Sequence, residues 1–422
     1  MFISEAKQTR GHALKRGAAT AVVILGMATA GGCEGLLDVS APGNLVDENL
    51  RDPAFAPNLV ASAQNQFECA YTTQIVKLGL WSGYLWNAST HGGPGNTVRR
   101  LPSADNGGSD CRESSGSGGE GAGYGAVQAA RGLAKLAIDI ITEHEGLANK
   151  DRLLATANAY LGYATIYITE SYCEQRLDPE GPVTTPSQAM AEAANVFATA
   201  RTQAQAAGAT DILNLARVGG ARALIWNGKG PEAKALAEAV PMGFEFLATY
   251  DQTSPRRWNR VYERLKVSSE ASIAAEFRGL MIDGMPDPRV PVYLSEIAGG
   301  DGSTPVWATH QWESLSDPIA FARWAEAQLI IAEAELLANN VAAAVAAINR
   351  VRATWSIGPY AGGTAAEVRT QLIEERRREL HLQGHRFGDM IRFNIPFPEG
   401  PDHKGMVRSA GITCMPLPDR DK

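Results

Sequence analysis

Residues 376–393 read "RRRELHLQGHRFGDMIRF" and place His381 and His385 four positions apart, with Glu379 before them and Asp389 after. Two imidazoles at that spacing on a helix, with a Glu after the first as general base, would make a zinc hydrolase. Here Leu382 stands where the Glu is needed, and Gly384 falls between the histidines as a helix stop. If the helix ran on, Glu374, Arg378, His381 and His385 would share one face, and a guanidinium beside the imidazoles would oppose a dication. Ile373, Leu380, Phe387 and Ile391 instead mark a buried stripe. Glu375, Arg376, Glu379, Arg386, Asp389 and Arg392 flank it as charges expected to pair with one another. The stretch reads as scaffold, with no metal assigned.

Residues 116–121, "GSGGEG", satisfy G-x-G-x-x-G. No strand precedes them, their surroundings are rich in Ser and Gly, and no β-α-β unit follows, so a nucleotide site fails its context test. A flexible loop beside Cys111 is the expectation. No Ser-His-Asp order, G-x-S-x-G elbow or paired-carboxylate cleft stands out, so neither a catalytic residue nor a cofactor is assigned.

Binding chemistry is better represented. Aromatic rings suit the flat apolar faces of sugars and apolar side chains, because ring and ligand shed water together while nearby amides and carboxylates fix orientation. "LWSGYLWNAST" offers Trp81, Tyr84, Trp86 and Asn87, and Trp307, His310 and Trp312 lie in loop-like sequence where exposure is expected. Trp258 and Tyr262, four apart, fit a helix face against the core. Trp226, Trp324 and Trp355 sit in or at the end of helical segments and are assigned to packing.

The elements that must position these residues are mostly helices. Ala-rich segments with apolar residues recurring at three and four alternate with short breaks, and strand-like alternation is sparse and late, as in "STPVWATHQW". A weak internal repeat lays residues 221–240 over 332–351, with alanines matching at 221/332, 223/334, 233/344 and 235/346 and a turn in the middle of each block. Small residues there let two antiparallel helices approach closely, as in a tetratricopeptide-like pair. Residues 126–163 fit the same design, as do 160–207 with a longer insert. The fold class expected is mainly α: a scaffold of helical hairpins at about 126–240 and 318–354. Pro, Gly and aromatic residues at about 242–317 and 393–422 mark an irregular, loop-rich second lobe.

At the other end, Lys7, Arg10, Lys15 and Arg16 precede the apolar run "GAATAVVILGMATA", too short to span a bilayer. Small residues then lead directly to Cys33, the pattern of an exported lipoprotein, so residues 1–32 are read as a signal peptide and Cys33 as the lipidated N-terminus. Losing those four cations and Glu5 removes a net +3 and moves the formal charge from −7 to −10. So acidic a chain argues against nucleic acid as partner. Cys69, Cys111, Cys173 and Cys414 remain, none paired as C-x-x-C, and in an exported protein disulfides are the default. Of the three connectivities, Cys69 with Cys173 is favoured because both lie in or beside strongly helical stretches.

Taken in order, "CEGLLDVSAPGN", "DPIAFARWAEAQLIIAEAELLANNVAAAVAAINRVRA", "EERRRELHLQGHRFGDMIRF" and the closing "CMPLPDRDK" resemble the SusD/RagB family of outer-membrane lipoproteins. The resemblance implies one domain over residues 33–422, made of tetratricopeptide-like pairs and an irregular lobe, in which the region of Trp81 to Asn87 contributes to the ligand face. It implies a non-catalytic role at the surface of a Gram-negative bacterium, with an oligosaccharide or peptide captured for a SusC-like TonB-dependent transporter and a lipid anchor in the outer membrane. The chain departs from the family pattern in having His310, Gln311 and Trp312 where a Lys-Tyr pair is common. A surface-anchored helical-repeat scaffold for a protein partner is the alternative, and a metal-dependent hydrolase a third. Convergence of Trp81, Trp86 and Trp312 on one open face would separate the first two.

Overall fold

Helix α1 (Ala56–Ser82) leads into β1 (Leu85–Asn87) and the short α2 (Gly92–Val98). Antiparallel helices follow: α3 (Tyr124–Glu143), α4 (Lys150–Thr169), the small hairpin β2 (Gln175–Arg176) and β3 (Val183–Thr184), α5 (Pro186–Ala206), α6 (Thr210–Trp226) and α7 (Gly230–Glu238). The irregular lobe holds β4 (Glu245–Ala248), β5 (Ala271–Ile273), β6 (Met281–Ile282), β7 (Met285–Pro286), β8 (Val292–Ala298), β9 (Pro305–Thr309) and β10 (Ile319–Arg323). Helices α8 (Trp324–Leu337), α9 (Val341–Thr354), α10 (Ala365–Glu379) and α11 (Arg386–Arg392) close the chain ahead of an irregular tail. This computed structural model describes residues 52–101, 111 and 123–418. The leader, Cys33 and the glycine-rich stretch 116–121 lie outside the described residues.

The expected hairpins form. The two blocks of the repeat are α6–α7 and α8–α9, and α8 packs on α6, α7 and α9. Three matched alanine pairs, 221/332, 223/334 and 233/344, are buried in both blocks, whereas Ala235 and Ala346 are exposed in both. Equivalent positions thus meet equivalent environments, which is what a repeat requires physically. Phe197 on α5 shows how closely the layers approach. A Cβ on Gly162 of α4 would lie 2.7 Å from its ring, and one on Gly219 of α6 only 2.3 Å away. Both glycines are present because the ring fills the space that a side chain would take.

Local chemistry sets the helix ends. Thr185 and Gln188 at α5, and Thr364 and Glu367 at α10, form reciprocal capping boxes that satisfy otherwise orphaned N–H groups. Helix α1, outside the repeat region read from the sequence, packs against α3 and α4. Its Phe67 and Tyr71 join Tyr160, Tyr163 and Tyr167 of α4 and Phe321 of β10 in one aromatic core.

Three expectations are corrected. The disulfides are Cys69–Cys111 and Cys173–Cys414, not Cys69–Cys173. The tail runs back beside residues 171–173, with Cys173 N donating to Met415 O and Met415 N to Ser171 O, each at 2.9 Å, so Cys414 is brought to Cys173. Helical surroundings carry no information about such a long-range return. Strands are short but not confined to the later chain, since β1 pairs antiparallel with β5. Finally, the buried face of α10 is the charged one: Val368, Leu372, Glu375, Arg376 and Glu379 are buried while Ile373 stays partly exposed, as does Ile391 on α11.

Candidate binding site

Antiparallel pairing places Trp86 on β1 opposite Ser272 on β5. Leu85 and Asn87 point inward and Trp86 outward, by the period of two along a strand. The Ser272 hydroxyl donates to Pro305 O at 2.8 Å and accepts from the Trp307 N–H at 2.9 Å, which lashes β9 beside β5. Two indoles from positions more than 200 residues apart are thereby brought to one cluster.

Between them lies Arg278. Its guanidinium carbon is 4.1 Å from the Trp86 ring centroid and 4.9 Å from that of Trp307. Nε donates to Ile273 O at 2.8 Å and fixes the guanidinium. Burial pulls the Arg278 pKa below its usual value. His403 of the tail stacks on Trp86 with ring centroids 4.5 Å apart and planes 8° from parallel, and burial lowers its pKa as well. Next to it, Lys404 pairs with Asp301 and donates to Ser89 O at 2.9 Å. Burial opposes ionisation of Asp301, but Lys404 and the Thr304 and Ser303 N–H groups outweigh it and hold the carboxyl far below the usual range. The β8–β9 ribbon adds exposed Leu294 directly opposite Trp307.

Not all the residues picked from the sequence come to this place. Trp81 is 1% exposed and Trp312 6%; the Trp312 Nε1–H donates to Pro318 O at 2.9 Å, so a residue expected to be exposed is tied into the core. Asn87 is buried and accepts from the Ser89 N–H and hydroxyl, each at 2.9 Å, as a turn former. Tyr84 is buried against His381, its hydroxyl bonded to Nδ1 and accepting from Leu382 N at 3.2 Å. His310 is exposed but on the other face of the ribbon: it stacks on Tyr293 at 4.0 Å beside Lys266 and lies 3.1 Å from Glu313. Trp355, assigned to packing, is 38% exposed, with its indole N–H donating to Glu379 at 2.9 Å.

Arg278, Ser272 and His403 were missed. None sits in a periodic pattern, and only the meeting of β1, β5, β9 and the tail gives them a common place.

The histidine pair does not converge. Helix α10 ends at Glu379, Leu382 and Gly384 take left-handed backbone conformations with φ of 53° and 79°, and α11 begins after His385. His381 faces Tyr84 and Phe277, and burial pulls its pKa down to about 3. His385 lies 3.9 Å from Glu326 instead. Among the described residues no group of three or more His, Cys, Asp or Glu side chains could hold a metal ion. The flanking charges hold the fold together. Glu375 accepts from Arg289 and from Arg352, the latter at 2.8 Å, Arg378 reaches Asp287 at 2.9 Å, and Glu379 pairs with Arg323 at 3.1 Å. Buried ion pairs on one helix thus stitch α9, β10 and the irregular lobe together.

Residues 307–411 match the family model of the SusD family. Solved structures share the architecture. A SusD superfamily protein from Bacteroides vulgatus superposes with a TM-score of 0.65 at 15% identity, covering 88% of this chain and 96% of that one. A SusD-like carbohydrate binding protein from the same species gives 0.63 at 15% identity, with 83% and 86% covered. The surface glycan-binding protein A of Bacteroides uniformis gives 0.61 at 11%, with 86% and 96% covered. No curated protein matches the chain. The fold is SusD-like, mainly helical with few short strands, as the sequence resemblance implied.

Proposed function

We propose that this chain is a cell-surface nutrient-binding lipoprotein. It captures an oligomeric nutrient, a glycan in preference to a peptide, and passes it to a SusC-like TonB-dependent transporter in the outer membrane. The observation that carries this reading is the pairing of Trp86 and Trp307 around Arg278 on a SusD-like fold. Indole and guanidinium groups bind sugar through stacking and charge-assisted hydrogen bonds, and no bond is made or broken. Cys33 would carry the lipid. Among the described residues no helix is long and apolar enough to cross a membrane, so acyl chains would do the anchoring.

The test is affinity capture of the tagged, full-length protein from its own outer membranes, combined with mass spectrometry of the mature N-terminus. A barrel transporter in the eluate and a diacylated Cys33 support the proposal. A purified protein with neither sinks it.

A second reading, a helical-repeat scaffold for a protein partner, gains from the burial of Trp81 and Trp312, since two of the three indoles meant to form a sugar platform serve the core. It expects capture of a soluble protein partner and no oligosaccharide binding.

A further inference from the structure

Arg278 has an unusual place for a cation. Nε is spent on Ile273 O, while Nη1 and Nη2 make no hydrogen bond and no ion pair among the described residues, and Nη2 is shielded from solvent. Asp301 pairs with Lys404 and Glu270 with Arg264, and Glu276 acts on Arg377. Burial lowers the Arg278 pKa with no acid opposing it. Leaving charged donors unmatched in a half-buried position costs stability unless something else uses them. The indoles of Trp86 and Trp307 hold the guanidinium in place, and with Nε bonded and Nη2 shielded, Nη1 is the donor left for a charge-assisted hydrogen bond to an anionic group.

We infer that the Trp86–Arg278–Trp307 cluster selects acidic oligosaccharides, with Arg278 Nη1 donating to a carboxylate or sulfate on the chain while the indoles, Trp86 itself covered by His403, hold the guanidinium in position. This rests on the sugar-binding reading above and adds the substrate class. The rest of the molecule is acidic, with a formal charge of −7 over the full sequence, so recognition would rely on this local cation and not on a general positive field. Affinity should therefore depend on the single guanidinium.

The experiment is binding of the purified protein to an array of neutral, carboxylated and sulfated oligosaccharides, followed by titration of tetragalacturonate, its methyl ester and a carrageenan tetrasaccharide. Arg278→Gln and Arg278→Lys are compared with wild type after thermal melts confirm that each is folded. The expected result is array binding confined to acidic glycans. Affinity should fall at least about tenfold on esterification or in Arg278→Gln, with partial retention in Arg278→Lys, which keeps the charge but not the planar group held between the indoles. The tetragalacturonate and carrageenan arms distinguish carboxylate from sulfate. Binding of neutral glycans that Arg278→Gln leaves unchanged overturns the inference and keeps the sugar-binding reading. Absence of binding to every glycan removes both.

Discussion

Arg376 and Asp389 face each other across the break between α10 and α11, joined by two hydrogen bonds, Nε to Oδ2 at 2.9 Å and Nη2 to Oδ1 at 2.8 Å. Both residues are buried. Burial opposes ionisation of Asp389, yet Arg376 and Arg392 outweigh it and hold its pKa below the usual value. The pair closes the turn through Leu380 to His385 that separates the two histidines.

Removing one partner leaves a buried charge short of its match. Arg376→Met should destabilise by about 3 kcal/mol, the lower end for a broken buried pair because Arg392 still reaches Asp389. Urea unfolding would measure it, and the double variant Arg376→Met/Asp389→Leu should recover most of the loss. A single variant as stable as wild type would show that the pair contributes nothing.

Gly219→Ala tests the helix packing. In an exposed helix the change gains up to about 1 kcal/mol from propensity. Here the new Cβ would sit 2.3 Å from the Phe197 ring, and overpacking of this kind costs about 1–3 kcal/mol. Thermal melting should show net destabilisation, relieved when Phe197→Leu is added. Stabilisation by Gly219→Ala alone would refute the close approach.

Glu326 gives a pH dependence. Burial, only partly countered by Arg222, pushes its pKa from 4.5 up to about 7. Between those values the folded protein keeps a proton that the unfolded chain releases, so this group's contribution is full below pH 4.5 and is lost as pH rises through about 7. His381 works in the opposite sense: with its pKa drawn from 6.5 to about 3, stability from that group is lost as pH falls below 6.5. The difference between wild type and Glu326→Gln isolates the carboxylate. Measured by denaturant unfolding, it should move in the variant's favour by about 3 kcal/mol between pH 4.5 and pH 8. A difference independent of pH would mean that Glu326 titrates normally.

The Cys173–Cys414 bond spans 241 residues and holds the tail that carries His403 onto Trp86. The double variant Cys173→Ser/Cys414→Ser should lose about 2–5 kcal/mol of stability. Trp86→Phe would then report, by tryptophan fluorescence difference, whether the indole has become more solvated in the untethered protein. An unchanged Trp86 environment would show that the tail is held by its other contacts.

The residues themselves indicated the helices and their hairpin pairing, and marked "RRRELHLQGHRFGDMIRF" as scaffold. Those follow from local periodicity, from small residues at matched positions and from a missing Glu beside a histidine. The buried side of α10 was misjudged because Glu375, Arg376 and Glu379 lie inward only when Arg289, Arg352, Asp389 and Arg323 arrive from other elements to match them. Periodicity counts apolar residues and is blind to a charge whose partner is distant in the chain. The same limit governed the candidate site. Trp86 and Trp307 could be chosen as aromatic residues, but that Trp81 and Trp312 fill the core, that the tail closes through Cys414, and that Arg278 stands between two indoles were decided by tertiary structure. Contacts between residues hundreds of positions apart depend on where strands and tail return, and no local sequence pattern encodes that return.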